Sequence, residues 1–582
     1  MMINVLEYLE HTLDKIADPN KIAFFGSDSG IRPYTQATAS IGEAVADKDE
    51  AVADKDEAVA DKSALSFNTL SILSRSCGSY ISSRSINKKP IAVFMQKSPA
   101  MIAAFLGVVY SGSYYIPIDA EMPAFRIRLI LEAVDPPLII CDDLTSSLIA
   151  NWGLAKNIDT KRSNCSDQSY ETVKFDDICT FPVDDKALLK IRKSAIDADP
   201  LYVVFTSGST GTPKGVVATH RSVIDYIENL SAVLDVTTET IFGNQSPLYL
   251  DACLKEIYTT LKFGSSAYLI PQSLFMFPVK LIEYLNDNKI NTICWVASAL
   301  SLIAGLGALK SAVPKTLHTI AFGSEVFPIR HYNLWRETLP DARFIHLYGP
   351  TEATGMSCFY EATKTYDLES SIPIGHPFPN TEIILLDDNM LVPQDGQPGE
   401  ICIRGTCLSP GYFGDMEKTA AAFIQNPLSA FPDIIYKTGD LGRRGPDGEL
   451  YYISRRDHQI KHMGHRIELA EIEWVANGCE KVGLSCAVFD DTTSRIILYY
   501  VTADTAADGT AADGTATPGT AAPGTATPGN TKSTVRSYLK TNLPRYMMPH
   551  SIFQLEELPR TPGGKLDRVG LLKKYTNEKE NK

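Results

Sequence analysis

The 582-residue sequence has no cysteine pair spaced C-x-x-C, and its 11 cysteines are odd in number and scattered. That pattern excludes a disulfide framework and a cysteine-type zinc site, and reads as reduced thiols. No apolar run approaches the roughly 20 residues that a membrane-spanning helix needs. The opening stretch MMINVLEYLEHTLDKIADPNK lacks the basic start and apolar centre of a secretory leader. Positive charge is also short: 55 Lys and Arg stand against 69 Asp and Glu, a formal net charge of −14. A general nucleic-acid or anionic-membrane partner is thereby excluded, while a local basic site for one phosphate ligand is not. Together these absences describe a soluble, cytoplasmic chain with no membrane span and no nucleic-acid partner. At roughly 150 residues per domain the length allows about four domain-sized units, and 44 % hydrophobic residues suffice for a large core.

Two stretches lack the complexity of folded sequence. EAVADKDEAVADKDEAVADK, starting at Glu43, repeats every seven residues, and residues 505–530 repeat a five-residue unit rich in Gly, Pro and Thr. The first is too short and too rich in Ala and Asp for a coiled coil. The second cannot bury enough apolar area to fold. Both read as surface loop insertions without chemistry. Elsewhere short apolar runs alternate with helical periodicity. KPIAVFMQ, YYIPID, PPLIICD, PLYVVFTSG, NTICWVAS and LHTIAFGS read as strands, and PAMIAAFLGVVYSG, SVIDYIENLSAVL and FPVKLIEYLNDNK as helices. Strands alternating with helices imply a parallel sheet covered on its faces. After about residue 456 the texture shifts to short strands (ELYYIS, IILYYV) and charged helices (RIELAEIEWVANG, STVRSYLKTNL). This predicts an α/β fold: a large N-terminal domain over 1–456, with 43–62 as a loop insertion, and a small α+β domain over 457–582, with 505–530 as a low-complexity loop.

The stretch FTSGSTGTPKG (205–215) follows the apolar run LYVVF. Its glycines let backbone N–H groups turn toward one point, its Ser and Thr hydroxyls add donors, and Lys214 adds charge, which together make an anion nest. The Walker spacing G-x4-G-K-[ST] is absent, because no Ser or Thr follows Lys214. Further along stand LYGPTEAT (347–354), YKTGDLG (436–442), ISRRDHQIKHMGHRIELAEIE (453–473) and LPRTPGGKLDR (558–568).

With these motifs in order, the chain resembles the adenylate-forming enzymes, and more narrowly the adenylation domains of nonribosomal peptide synthetases and the D-alanine–carrier protein ligases. The resemblance runs from ALSFNTL to GGKLDR and leaves out only the two repeats. It implies packed α/β subdomains in a large N-terminal domain, a small mobile C-terminal domain, and a hinge at Asp457 in SRRDHQ. It implies ATP and Mg²⁺ as cofactors. Thr206, Ser207, Gly208, Ser209, Thr210, Gly211 and Lys214 match the loop that grips the β- and γ-phosphates. Gly323, Ser324 and Glu325 (AFGSEVF) match a turn along the adenine and substrate pocket. His346, Leu347, Tyr348, Gly349 and Pro350 lead into the nucleotide site, with the Tyr348 ring on adenine and Thr351 on the α-phosphate. Glu352 matches a Mg²⁺ ligand, a hard cation that favours carboxylate and phosphate oxygens. Asp440 resembles the acid that accepts the ribose hydroxyls, with Arg455 in support. Lys565 matches the lysine that bridges substrate carboxylate and α-phosphate, and Lys461 lies on the face used for thioester formation. Three departures stand out: Ser324 where the family often has glycine, Ser454–Arg455 for its Gly-Arg, and His462–Met463–Gly464 for its Ile-Arg-Gly.

PLYLDACLKEIY (247–258) places Asp251 where amino-acid-activating members keep an aspartate for the substrate's α-ammonium, a charge-assisted bond that is strong in a closed pocket. By motif spacing the rest of the pocket holds Ala252, Lys255, Cys294, Ile320, Phe322, Leu347, Gly355 and Met356. Lys255 reads either as a partner for an acidic substrate side chain or as a solvent-facing lysine on a helix. The bulk of Phe322, Leu347 and Met356 points instead to a small residue such as alanine. Neither Gly-Gly-x-Ser after Lys565 nor HHxxxDG occurs, so the chain resembles a stand-alone enzyme that loads a separate phosphopantetheine carrier protein. The alternatives are an acyl- or aryl-CoA ligase, against which Asp251 argues, and a non-catalytic nucleotide-binding module, which would show damage at Lys214, Glu352, Asp440 or Lys565.

Overall fold

In the computed structural model, residues 2–26, 64–154, 169–208, 213–457, 459–503, 528–561 and 566–580 are described. The repeat at 43–62, the five-residue repeat up to residue 527, and the site candidates Ser209, Thr210, Gly211 and Lys565 lie outside them. The chain divides into two compact units: Met1–Ala120, Leu131–Phe205 and Gly215–Arg456 form the first, and Glu121–Ile130, Thr206–Lys214 and Asp457–Lys582 the second.

Two large sheets carry the first unit. A nine-stranded sheet has a parallel centre running from Arg343–Tyr348 through Thr319–Gly323, Thr292–Val296, Ile241–Asn244 and Ser266–Leu269 to Ile22–Phe25. Antiparallel strands close its two edges. A six-stranded sheet pairs Thr172–Lys174, Ile139–Cys141, Pro90–Met95, Tyr114–Asp119 and Pro200–Thr206 in parallel, with Lys214–Thr219 at its edge. The strands are near-continuous apolar runs because both faces are covered. Between Pro90–Met95 and Tyr114–Asp119 lies the helix Pro99–Tyr110, with every residue buried. An apolar residue at nearly every position leaves that helix no face to offer water. Ser98 caps it by accepting a hydrogen bond from the Met101 N–H. One hydrophobic core runs across both sheets, holding Phe24 and Ala267 with Ile91, Val93 and Tyr202.

A five-stranded antiparallel sheet completes this unit, in the order Thr381–Leu386, Gly399–Gly405, Ile434–Arg444 and Phe423–Gln425, with Leu450–Arg455 on the free side of Ile434–Arg444. Here the sequence reading needs correction. ELYYIS was expected among the C-terminal strands; it is an edge strand of this sheet, registered Asp440↔Arg455.

In the second unit, the hairpin Gln459–His462/His465–Glu468 turns through Met463 and Gly464, both at positive φ (53° and 78°). RIELAEIEWVANG is therefore not one helix: its start belongs to the hairpin, and the helix runs Leu469–Asn477. A three-stranded sheet of Val482–Asp490, Arg495–Thr502 and Ser551–Gln554 packs with that helix and Pro528–Asn542, whose first residues come from the stretch read as repeat. Ile467, Ile472, Leu498, Val535 and Leu539 form its centre.

Candidate functional site

The strand Pro200–Thr206 ends in two buried hydroxyl residues, Thr206 and Ser207. The chain resumes as a strand at Lys214. Thr206 Oγ1 is buried with no hydrogen-bond partner among the described residues, an orphaned donor of the kind a phosphate oxygen satisfies. Within the second unit the Ser207 hydroxyl donates to the Arg466 carbonyl (2.6 Å) and accepts from the Glu468 N–H (3.2 Å). Lys214 Nζ stands 3.8 Å from Glu468, so the loop's cation already faces a carboxylate within this unit.

The strand Arg343–Tyr348 delivers the second group of candidates. His346 makes a 2.7 Å hydrogen bond from Nδ1 to the Pro373 carbonyl and stacks on Phe322. Gly323 and Leu347 sit at register partners, and a Cβ on Gly323 would fall 2.3 Å from the Leu347 carbonyl oxygen. Ser324 follows at φ 67°, the left-handed region where glycine is at ease. Glu325 accepts from the Ser298 N–H at 2.9 Å.

Past Tyr348 the chain turns sharply. A side chain at Gly349 would strike the Gly355 carbonyl oxygen at 2.4 Å, and Gly355 itself, at φ 86°, lies against the Tyr226 ring. This compact turn, entered through Pro350, sets Thr351 and Glu352 in one 3₁₀ turn. The Thr351 side chain lies next to the Asp251 carboxyl and favours its charged form. Glu352 is fully buried and accepts from the Tyr412 hydroxyl at 2.8 Å.

Asp440 lies in the strand Ile434–Arg444 and is 1 % exposed. It accepts from the Tyr348 hydroxyl at 2.7 Å and from Arg455 Nη1 at 2.6 Å. The cross-strand register Asp440↔Arg455 makes the second contact. Burial, and then the Asp440 carboxylate, push the Tyr348 phenol well up, so it stays a donor. Three residues named separately in the sequence are therefore one buried network.

Asp251 begins a 3₁₀ turn that runs into the helix Leu254–Phe263, and Ala252 is its next residue. Burial holds its carboxyl above the usual carboxylate range, against the neighbouring Thr351 side chain and the Lys255 ammonium, while Glu352 adds to the rise. Lys255 is 4 % exposed, so the solvent-facing reading of this lysine is overturned. Its Nζ is 3.5 Å from Ser246 Oγ and 3.9 Å from Glu256.

The structure does not gather all the substrate candidates. Cys294, Leu347 and Met356 pack in the core cluster that also holds Tyr226 and Cys253. Ile320 and Phe322 pack in a different one, with Ile293, Trp295, Phe327 and Tyr332. The register Cys294↔Ala321 explains the split: side chains alternate along a strand, so Ala321 shares the face of Cys294 and its two neighbours point the other way. Lys461 lies in the hairpin strand Gln459–His462, opposite Arg466. Sequence reasoning missed Tyr412, Glu256 and Lys97. Only Glu256, inside PLYLDACLKEIY, had a motif to point to it.

Two parallel-centred sheets, an antiparallel sheet and a smaller α+β unit are the architecture this chain shares with solved adenylation domains. It belongs to the AMP-binding enzyme family, whose pattern it matches over residues 44–413, and within it to the type found in nonribosomal peptide synthetase adenylation domains. It is 30 % identical over 482 residues to bacitracin synthase 1 of Bacillus licheniformis, covering 82 % of this chain and 8 % of that protein. To tyrocidine synthase 1 of Brevibacillus parabrevis it is 27 % identical over 484 residues, covering 83 % and 40 %. The chain thus spans well under half the length of these relatives. A Vibrio cholerae adenylation domain solved with glycyl-adenosine-5'-phosphate shares the fold at TM-score 0.75 and 18 % identity, covering 99 % of this chain and 98 % of that one. An o-succinylbenzoate CoA synthetase of Bacillus subtilis does so at TM-score 0.72 and 18 % identity, covering 98 % of each.

Proposed function

We propose that this chain activates an amino acid: ATP-dependent adenylation of its carboxylate with release of pyrophosphate, then transfer of the aminoacyl group to the phosphopantetheine thiol of a separate carrier protein, in the cytoplasm. The observation that carries the reading is the placement of the Thr351 side chain next to the Asp251 carboxyl, whose charged form it favours. It sets the acid assigned to the substrate's ammonium beside the hydroxyl assigned to the α-phosphate, where the new acyl–phosphate bond forms.

In this reading Thr206, Ser207, Gly208 and Lys214, with Ser209, Thr210 and Gly211, hold the phosphates, and the orphaned Thr206 hydroxyl supports that role. Asp440 accepts the ribose hydroxyls on lone pairs left over from Tyr348 and Arg455, and the Tyr348 ring lies along adenine. Among the described residues no group of three or more His, Cys, Asp and Glu side chains is placed to hold a metal ion. Glu352 fits Mg²⁺ as a single carboxylate ligand, the remainder being phosphate oxygens and water, as this ion prefers. Bound Mg²⁺ would neutralise charge on the phosphates. Lys565 places a point charge between the substrate carboxylate and the α-phosphate. The second unit acts as the mobile domain, with Asp457, the first residue of its C-terminal stretch, as hinge and Lys461 on the thioester-forming face. Two solved structures that share the fold contain adenylation and PCP domains, which supports a carrier as acceptor.

ATP–pyrophosphate exchange on purified protein with Mg²⁺ tests the reading, across all L-amino acids, D-alanine and a set of aryl and fatty acids, with Lys565→Ala as control. Exchange with an amino acid, lost in Asp251→Ala, supports it. Exchange confined to acids without an α-amine would move the chain to the acyl- or aryl-CoA ligases.

A further inference from the structure

Beside Asp251 lies a buried charged cluster that the adenylation chemistry does not use. Lys255 follows Asp251 by four residues, across the 3₁₀ turn into the helix Leu254–Phe263, and its ammonium acts on the Asp251 carboxyl. Lys255 and Glu256 are 4 % and 1 % exposed. Asn244 donates to Glu256 at 3.2 Å, and Lys97 Nζ reaches the carbonyls of Asn244 and Gln245 at 3.3 and 3.5 Å. Tyr226, Cys253 and Cys294 border the cluster, and burial pushes all three up, so they stay neutral.

Lys255 acts on both Asp251 and Glu256, and Lys97 acts on Glu256, while Glu352 is a further acid acting on Asp251. An amino acid binds as a zwitterion with no net charge of its own: its ammonium takes up Asp251 and its α-carboxylate goes to the phosphate, so Asp251 no longer offsets Lys255 and Glu256 alone is left facing both lysines. Buried charge without a counter-charge is costly. Lys255 is also the cation with the poorest contacts: 3.5 Å to a hydroxyl and 3.9 Å to Glu256 are long beside the 2.7–2.9 Å typical of an ammonium–carboxylate bond. Burial draws the Lys97 ammonium down to about 8, and the Glu256 carboxylate opposes that fall.

Building on the amino-acid reading above, we propose that the substrate is an amino acid with a carboxylate side chain, and that Lys255 is the residue that selects it. The side-chain carboxylate meets the Lys255 ammonium, four residues along the chain from the Asp251–ammonium pair, and supplies the counter-charge that Asp251 no longer offers. An alkyl side chain would leave the buried Lys255 with only its long contacts to Glu256 and Ser246. An amide is the demanding competitor, because Glu256 Oε1 is also without a hydrogen-bond partner among the described residues and could accept from it.

The test is exchange kinetics on the full-length wild type with glutamate and aspartate, as both enantiomers, against glutamine, asparagine and alanine. The expected result is a kcat/KM for one acidic residue at least about 100-fold above its amide, as for a site built around a buried polar partner. Lys255→Met should remove that preference, with the loss falling on the acid and not on the amide. Thermal shift of the wild type by the same amino acids needs no variant and should show the same order. A wild type that prefers the amide or alanine overturns the proposal and leaves the amino-acid reading intact. Exchange confined to acids lacking an α-amine overturns both. An acidic preference that survives in Lys255→Met, with the variant folded by circular dichroism, overturns the role of Lys255.

Discussion

Asp440→Asn is the substitution whose cost the structure defines most closely. The carboxylate is 1 % exposed and takes one donor on each oxygen, Arg455 at 2.6 Å and Tyr348 at 2.7 Å. An asparagine keeps the shape but has a single acceptor oxygen. Its NH₂ then faces a donor, so one charge-assisted bond is lost, worth about 1.5–3 kcal/mol. The Arg455 side chain, 8 % exposed, also loses the Asp440 charge. Removing one member of a buried pair costs about 3–5 kcal/mol in all. Arg455→Met should be costly for the mirror reason. The double variant Asp440→Asn/Arg455→Met should cost less than the sum of the two by about 2 kcal/mol, because neither charge is then left alone. Urea unfolding followed by far-UV circular dichroism gives the four stabilities. KM for ATP in the exchange assay should rise in both single variants if this network carries the ribose. Additivity within about 0.5 kcal/mol would refute the claim that the pair is desolvated and coupled.

Other predictions follow from single groups. His220 is 4 % exposed beside the backbone N–H of Val5 and the Asn4 amide, and burial pulls it down from 6.5 to about 3. Its folded value lies below the unfolded one, so the unfolded chain binds more protons between those pH values. Stability therefore falls as pH drops from 6.5 toward 3, with a slope of up to about 1.4 kcal/mol per pH unit, and His220→Asn should flatten the slope between pH 6.5 and 5 in urea titrations. Met463→Asn should raise the stability of the second unit by about 0.5–1 kcal/mol, because a side chain at φ 53° in a two-residue hairpin turn favours asparagine over methionine; an unchanged or lower urea midpoint would contradict this. Gly355→Ala should cost about 3 kcal/mol, because the new methyl would sit 2.7 Å from the buried Tyr226 ring at φ 86°, and thermal unfolding would show it.

Much of the framework can be read from local pattern. The runs KPIAVFMQ, YYIPID and LHTIAFGS are strands, and the all-apolar PAMIAAFLGVVY is a helix buried on every side. Period and length decide such elements without tertiary help. The five-stranded antiparallel sheet was not legible: its longest strand, Ile434–Arg444, is interrupted by glycines at 439 and 442, and ELYYIS joins the sheet only through pairing with it. The network of Tyr348, Asp440 and Arg455 spans 92 and 15 residues of chain. Only motif resemblance could join those residues before the coordinates did. Tyr412 and Lys97 carry no motif and reach Glu352 and the Asn244 carbonyl from distant segments.

The substrate pocket shows why helices and strands differ in what sequence reveals about a site. Asp251 and Lys255 are four apart where a 3₁₀ turn runs into a helix, and so short a spacing keeps them neighbours whatever packs around them. Their shared environment could be read at once, and only the burial of Lys255 needed the structure. Cys294, Ile320 and Phe322 lie on two parallel strands, where a one-residue error in register sends every side chain to the opposite face. Motif spacing placed all three in the pocket. The register Cys294↔Ala321 leaves Cys294 on the face of Leu347 and turns Ile320 and Phe322 into the core with Trp295. The bulk of Phe322 then weighs less against a larger substrate, and the case for alanine weakens where the case for a carboxylate side chain rests: on the one charged residue whose position a helix had already secured.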